Sequence, residues 1–129
     1  IMKNFLKHEE GFTLVEIIAV LIILGILAAV AVPKYIDMTE QAKDRALEAG
    51  IAELNSRENL VWSKVKLAKY TKDSDVTGAT NYSTDLGADY TWKGGSAATT
   101  GGELIFQGQS SVVLNRDPST TERPARWNK

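Results

Sequence analysis

From Phe12 to Val32 the chain is apolar at nearly every position, with only Thr13, Glu16 and Gly25 interrupting the run. A helix of that length rises roughly 30 Å, which matches the hydrocarbon core of a bilayer. Beyond Pro33 the pattern changes. Leu47, Ile51, Leu54, Val61, Val65 and Ala68 recur at three- and four-residue spacing among charged residues, with Glu58 the one break in the row. This period predicts an amphipathic helix over residues 33–70. From Thr71 the periodicity stops, and TKDSDVTGATNYSTDLGAD has the Ser, Thr, Asp and Gly enrichment of a surface loop. Strand patterns follow at Tyr90–Lys93, Glu103–Gln107 and Ser111–Leu114, separated by GGSAATTGG and by Gly108-Gln109-Ser110. The tail NRDPSTTERPARWNK contains Pro118 and Pro124 and reads as irregular chain pinned by Trp127.

Together these elements predict an α+β protein: a long N-terminal helix, half apolar and half amphipathic, packed on a small antiparallel C-terminal sheet. Trp62 and Val65 are expected to be partly buried against that sheet. Pro33 removes a backbone donor and is expected to bend the join between the two helical halves. Gly50 lowers helix stability by up to about 1 kcal/mol relative to alanine and is a second candidate point of flexibility.

At 129 residues the chain has room for one modest head beside the apolar run. The formal charge of -1, with 24% charged residues, gives no global attraction to nucleic acid or anionic lipid. Beyond Val32 acidic and basic residues are equal in number, and Lys3 and Lys7 offset Glu9 and Glu10, so Glu16 is the unmatched charge. Lys3 and Lys7 favour a cytoplasmic N-terminus, an asymmetry that Lys34 weakens. There is no cysteine, hence no disulfide framework.

Two simpler readings of the apolar run fit less well. A secretory signal cut near Ala29-Val30-Ala31 calls for a basic leading region and an uninterrupted apolar stretch, whereas this chain has Glu9, Glu10 and Glu16. A plain membrane anchor leaves Glu16 without a purpose, although an acid at a helix centre costs about 2.5–3.5 kcal/mol on insertion scales.

GFTLVE, followed by an apolar run and then Pro33, resembles the N-terminal segment of type IV prepilins and pseudopilins. The resemblance fades beyond about residue 55. It implies that residues 1–11 are a leader and that a prepilin peptidase cuts between Gly11 and Phe12 and methylates the new terminus at Phe12. It implies that Glu16 serves assembly and that Gly25 and Pro33 mark places where the helix kinks or unwinds in fibres. It further implies a homo-oligomeric helical filament, an assembly platform for a pilus or a secretion system in the inner membrane, and a lipid bilayer around the precursor. The acidic pair Glu9-Glu10 departs from the basic leaders common in that family.

The chemistry of these residues is consistent with such a role. A cut before Phe12 frees an amine four residues ahead of Glu16, giving the carboxylate a cationic partner in the same chain or a neighbour. Gly11 offers a protease close backbone access.

Catalytic candidates are few. The one histidine, His8, lies in the expected leader. Gly94-Gly95 and Gly101-Gly102 lack the Lys-Ser/Thr ending of a phosphate loop and read as hairpin turns. Asp73, Asp75, Asp85, Asp89 and Asp117 have no calcium-loop spacing. Asn81-Tyr82-Ser83 fits a glycosylation sequon, a three-residue pattern frequent by chance. Head aromatics are expected to fill the core.

The expectation is therefore a structural subunit without catalytic residues, metal or cofactor, located in the inner membrane as precursor and in a surface filament when assembled. Its alternatives are a periplasm-spanning pseudopilin and, in a different class, a membrane-anchored binding protein.

Overall fold

The dominant element is one helix, α1 (Leu14–Lys69), followed by a short α2 (Asp73–Thr77) and four strands: β1 (Tyr90–Trp92), β2 (Gly101–Phe106), β3 (Ser110–Asp117) and β4 (Arg126–Asn128). The computed structural model describes residues 11–93 and 100–129. Lys3, Lys7, His8, Glu9, Glu10 and the Gly94-Gly95 turn lie outside the described residues. The chain forms two units, Ile1–Thr39 and Glu40–Lys129.

In the first unit α1 is helical through both Gly25 and Pro33. Its apolar side chains, including Leu21, Ile26, Leu27 and Val30, are all exposed. This is the one stretch among the described residues long and apolar enough to cross a membrane.

The second unit is the α+β head. Its sheet is antiparallel in the order β1-β2-β3-β4, with Phe106 facing Ser110 at the central hairpin and Arg116 facing Trp127 at the last ladder. Leu47 and Leu54 of α1 pack on Leu104, Leu114 and Trp127 of the sheet, and Ile51, Leu86, Tyr90, Trp92, Phe106 and Val112 surround them. The aromatics serve this core: Tyr90 tilts against Phe106 and Trp92 against Trp127, with ring centroids 5.1 and 5.4 Å apart. Trp62 and Val65 are half-buried, as the spacing predicts, whereas Ala68 is exposed, so the buried stripe ends a turn earlier than expected.

Several expectations are corrected. The segment after Thr71 contains helix α2, because Thr71 and Lys72 backbone amides donate to Asp75 Oδ2 (2.8 and 2.9 Å) while Val76 is fully buried. The tail contributes a fourth strand, because Asn55 of α1 receives it: Trp127 N donates to Asn55 Oδ1 (2.8 Å) and Asn55 Nδ2 donates to Trp127 O (3.2 Å). That side-chain amide supplies the edge strand with partners a fifth strand would otherwise provide. Gly101 and Gly102 belong to β2 rather than to a turn. Gly101 has φ of 137°, and a Cβ there would stand 2.5 Å from Leu114 O, so only glycine fits. Gly50 is a contact point: a Cβ would lie 2.9 Å from Tyr90 Cε1 and 3.3 Å from Leu86 Cδ1.

Candidate functional site

The start of α1 carries the residues singled out for processing and assembly. Thr13 is the N-cap, and its backbone oxygen accepts the first helical bond from Ile17 N (3.2 Å). Thr13 N and Thr13 Oγ1 both donate to Glu16 Oε2, at 2.7 and 2.8 Å, while Glu16 N donates back to Thr13 Oγ1 at 3.3 Å. This reciprocal arrangement is a capping box, which satisfies donors that the first turn of a helix leaves without partners. Thr13 is the residue that the sequence reading passed over. Its signal, a threonine three positions before a glutamate at the head of an apolar run, stands plainly in Thr13-Leu14-Val15-Glu16.

Only Oε2 of Glu16 is used in the box, and Oε1 accepts no hydrogen bond from the described residues. Phe12 is 83% exposed, directly before the cap. Gly11 is exposed, and a Cβ added there, or at Gly25, would meet nothing within 4 Å among the described residues. Packing among the described residues therefore does not demand glycine at either position.

The charged chemistry of the head lies elsewhere. Glu58, the break in the apolar row, is buried at 1% exposure and faces Arg116 of β3. Arg116 Nε and Nη2 donate to the two Glu58 oxygens at 2.6 and 3.1 Å, and Nη1 and Nη2 donate to the two Asp73 oxygens at 2.7 and 3.0 Å. Tyr82 Oη (2.8 Å) and Trp127 Nε1 (3.0 Å) donate to Glu58 Oε1. Ser119 donates to Asp73 Oδ1 from both N (2.7 Å) and Oγ (2.5 Å). The arginine thus joins α1, α2 and β3 through paired charged hydrogen bonds.

The titration of these groups follows their surroundings. Burial tends to raise the Asp73 carboxyl, but hydrogen bonds from Arg116 and Ser119 outweigh it and hold the group below its ordinary range. Burial, reinforced by the adjacent Glu58 acceptor, pushes the Tyr82 hydroxyl above its ordinary value. Every buried side-chain nitrogen and oxygen among the described residues has a partner. The network is suited to holding elements together, because each of its donors and acceptors is already engaged.

The five aspartates considered for calcium are dispersed among protein partners. Asp73 takes Arg116 and Ser119, Asp75 takes Thr71 and Lys72, Asp85 takes Gly87 N, Asp89 takes Gln107 and Asp117 takes Asn128. Among the described residues no three carboxylates or imidazoles converge on a metal position.

Residues 6–32 match the family model described as the prokaryotic N-terminal methylation motif. The chain is 45% identical over 49 residues to the major component of a type IV narrow pilus of Thermus thermophilus, covering 38% of this chain and 42% of that protein. It is 32% identical over 82 residues to a fimbrial protein of Pseudomonas aeruginosa, covering 64% of this chain and 50% of the relative. It is also 51% identical over 37 residues to the type II secretion system core protein G of Pseudomonas aeruginosa, covering 29% and 26%. The chain thus spans half or less of the length of these curated relatives. No solved structure matches it. The methylation motif and the relatives named for type IV pili, fimbriae and type II secretion together support the type IV pilin and pseudopilin family for this chain.

Proposed function

We propose that this chain is a type IV pilin: a structural subunit cut between Gly11 and Phe12, N-methylated at Phe12, and polymerised through the apolar start of α1 into a helical surface filament. The observation that carries the reading is the exposed apolar surface from Phe12 to Val32, whose one charge is the acid at its first turn. Apolar surface of that extent needs lipid or neighbouring protein to cover it. A bilayer covers it in the precursor, and other copies of α1 cover it in the filament. Glu16 fits both stages, since Oε2 caps its own helix while Oε1 is available to the Phe12 amine of a neighbour.

Gly11 supports the processing step. The described residues leave room for a side chain there, and a peptidase that must approach the backbone closely is a second molecule that would favour glycine. By the same reasoning Gly25 admits a close neighbour along the filament core, and Pro33, which lacks a helical donor, marks where α1 yields on packing. The remaining partners are the prepilin peptidase and methyltransferase and an inner-membrane assembly platform.

Mass spectrometry of the native product tests the first step. The expected terminus is N-methylated Phe12, and Gly11→Leu is expected to accumulate uncut precursor in the membrane. A mature terminus near Val32 would favour a secretory signal instead. Electron microscopy of sheared cells tests the second step, with long fibres containing this chain expected. The similarity to a type II secretion core protein favours a second reading, a pseudopilin of a secretion system. That reading is distinguished by the absence of long surface fibres together with a secretion defect on deletion.

A further inference from the structure

One flank of α1 is divided by charge. Glu40, Asp44 and Glu48 stand at successive four-residue intervals, and Asn55 and Asn59 continue the same flank two turns later. Like charges at that spacing disfavour their own helix by a few tenths of a kcal/mol per pair. Of these three acids, among the described residues, Glu48 pairs with Lys129 Nζ at 3.3 Å, while Glu40 and Asp44 are exposed and in no ion pair.

Beside Asn55 and Asn59 lies an open groove of about 420 Å³, whose other wall is Arg123, Pro124, Ala125 and Arg126. Arg123 and Arg126 are exposed, and neither is in an ion pair among the described residues. Asp117, which faces Arg126 across the β3–β4 ladder, accepts instead from Asn128 Nδ2 at 2.9 Å. Among the described residues the head thus carries two carboxylates, Glu40 and Asp44, and two groove guanidinium groups, Arg123 and Arg126, that are in no ion pair, Asp117 opposite Arg126 being taken by Asn128. Asp44 and Asn55 are about three turns apart, roughly 16 Å along the axis.

We infer that the Arg123–Arg126 groove receives the Glu40–Asp44 row of a second copy of this chain. The occupant is chosen by charge complementarity, because guanidinium groups pair bidentately with carboxylates and this same flank presents them. Two complementary patches displaced along one axis make a head-to-tail contact, which propagates as an open helix rather than closing into a dimer. The inference rests on the filament reading and adds to the apolar core a polar contact between heads that sets axial register.

The test uses the full chain in cells. Arg123→Glu is combined with Arg126→Gln, since an acid at 126 would face Asp117 across the strands. Processing at Gly11 is expected to be unchanged and filament yield to fall about tenfold or more. Adding Glu40→Lys and Asp44→Lys is expected to restore yield. A second measurement does not depend on that variant. The natural chain has no cysteine, so Asp44→Cys with Arg126→Cys in one chain is expected to give disulfide-linked multimers from isolated filaments, with neither single variant doing so. Wild-type yield from the charge variant overturns the inference. So does a loss of yield that the lysine substitutions fail to restore, accompanied by no cross-linking, which would assign the groove to another anion. If the unaltered chain forms no filament at all, it is the filament reading that falls.

Discussion

Arg116 Nε stands 2.6 Å from Glu58 Oε1, and both side chains are 1% exposed. The one polar position in the apolar row of α1 is therefore where the sheet is fastened to the helix, with Asp73 as the arginine's second carboxylate. A buried pair of this kind is strongly asymmetric in its energetics, because removing one partner leaves the other charged and dry.

Arg116→Met is accordingly expected to destabilise the head by about 3–5 kcal/mol. It strands Glu58 and leaves Asp73 with Ser119 alone. Chemical denaturation of residues 33–129, followed by tryptophan fluorescence, reads the loss directly, since Trp127 donates to Glu58. An unchanged midpoint would mean that the pair contributes nothing net.

Acid should loosen the same fastening. Asp73 has its carboxyl lowered in the folded state, so it binds a proton less readily when folded than when unfolded. Its contribution is fully present above the ordinary aspartate value, about pH 4, and is lost as pH falls through the lower folded value. Thermal midpoints measured from neutral pH downward should drop below about pH 4 in the wild type. Asp73→Asn should start lower and decline less steeply over that window; parallel curves would exclude Asp73 as the source.

Gly50 sets intrinsic propensity against packing. Gly50→Ala gains up to about 1 kcal/mol of helix propensity. The new Cβ would stand 2.9 Å from a Tyr90 ring that cannot swing aside freely, because Tyr90 Oη donates to Ala46 O at 2.7 Å and the ring lies against Phe106. Overpacking of this sort costs about 1–3 kcal/mol, so the net effect should be a lower melting temperature. A stabilised variant would show that the aromatic side relaxes cheaply.

Thr13 and Glu16 allow capping and charge to be separated. Glutamine also serves at the third helical position of a capping box, so Glu16→Gln keeps the cap and removes only the charge. Processing should persist and sheared filament yield should fall sharply. Thr13→Ala removes the cap, at a cost of about 0.5–2 kcal/mol to the helix end, but keeps the charge, and should reduce yield less. The reverse ranking would make Glu16 a capping residue and refute the pairing with the Phe12 amine.

Periodicity alone determined a great deal of this protein. The apolar run, the stripe through Leu47, Leu54 and Val61, and the three strand patterns are local signals, and each became the expected element because residues a few positions apart share a face. The processing and assembly roles proposed for Gly11, Phe12 and Glu16 likewise rest on a short contiguous stretch. Tertiary structure decided what depends on partners far away in the chain. Glu58 reads as a flaw in the stripe until Arg116, 58 positions later, neutralises it. Arg126–Asn128 reads as irregular tail until Asn55 supplies the backbone partners that make it an edge strand. Asp73 reads as one loop aspartate among several until the same arginine fixes it. A charge or an unpaired amide carries no local mark of where its counterpart lies, because hydrogen bonds and ion pairs are satisfied in space and not along the sequence.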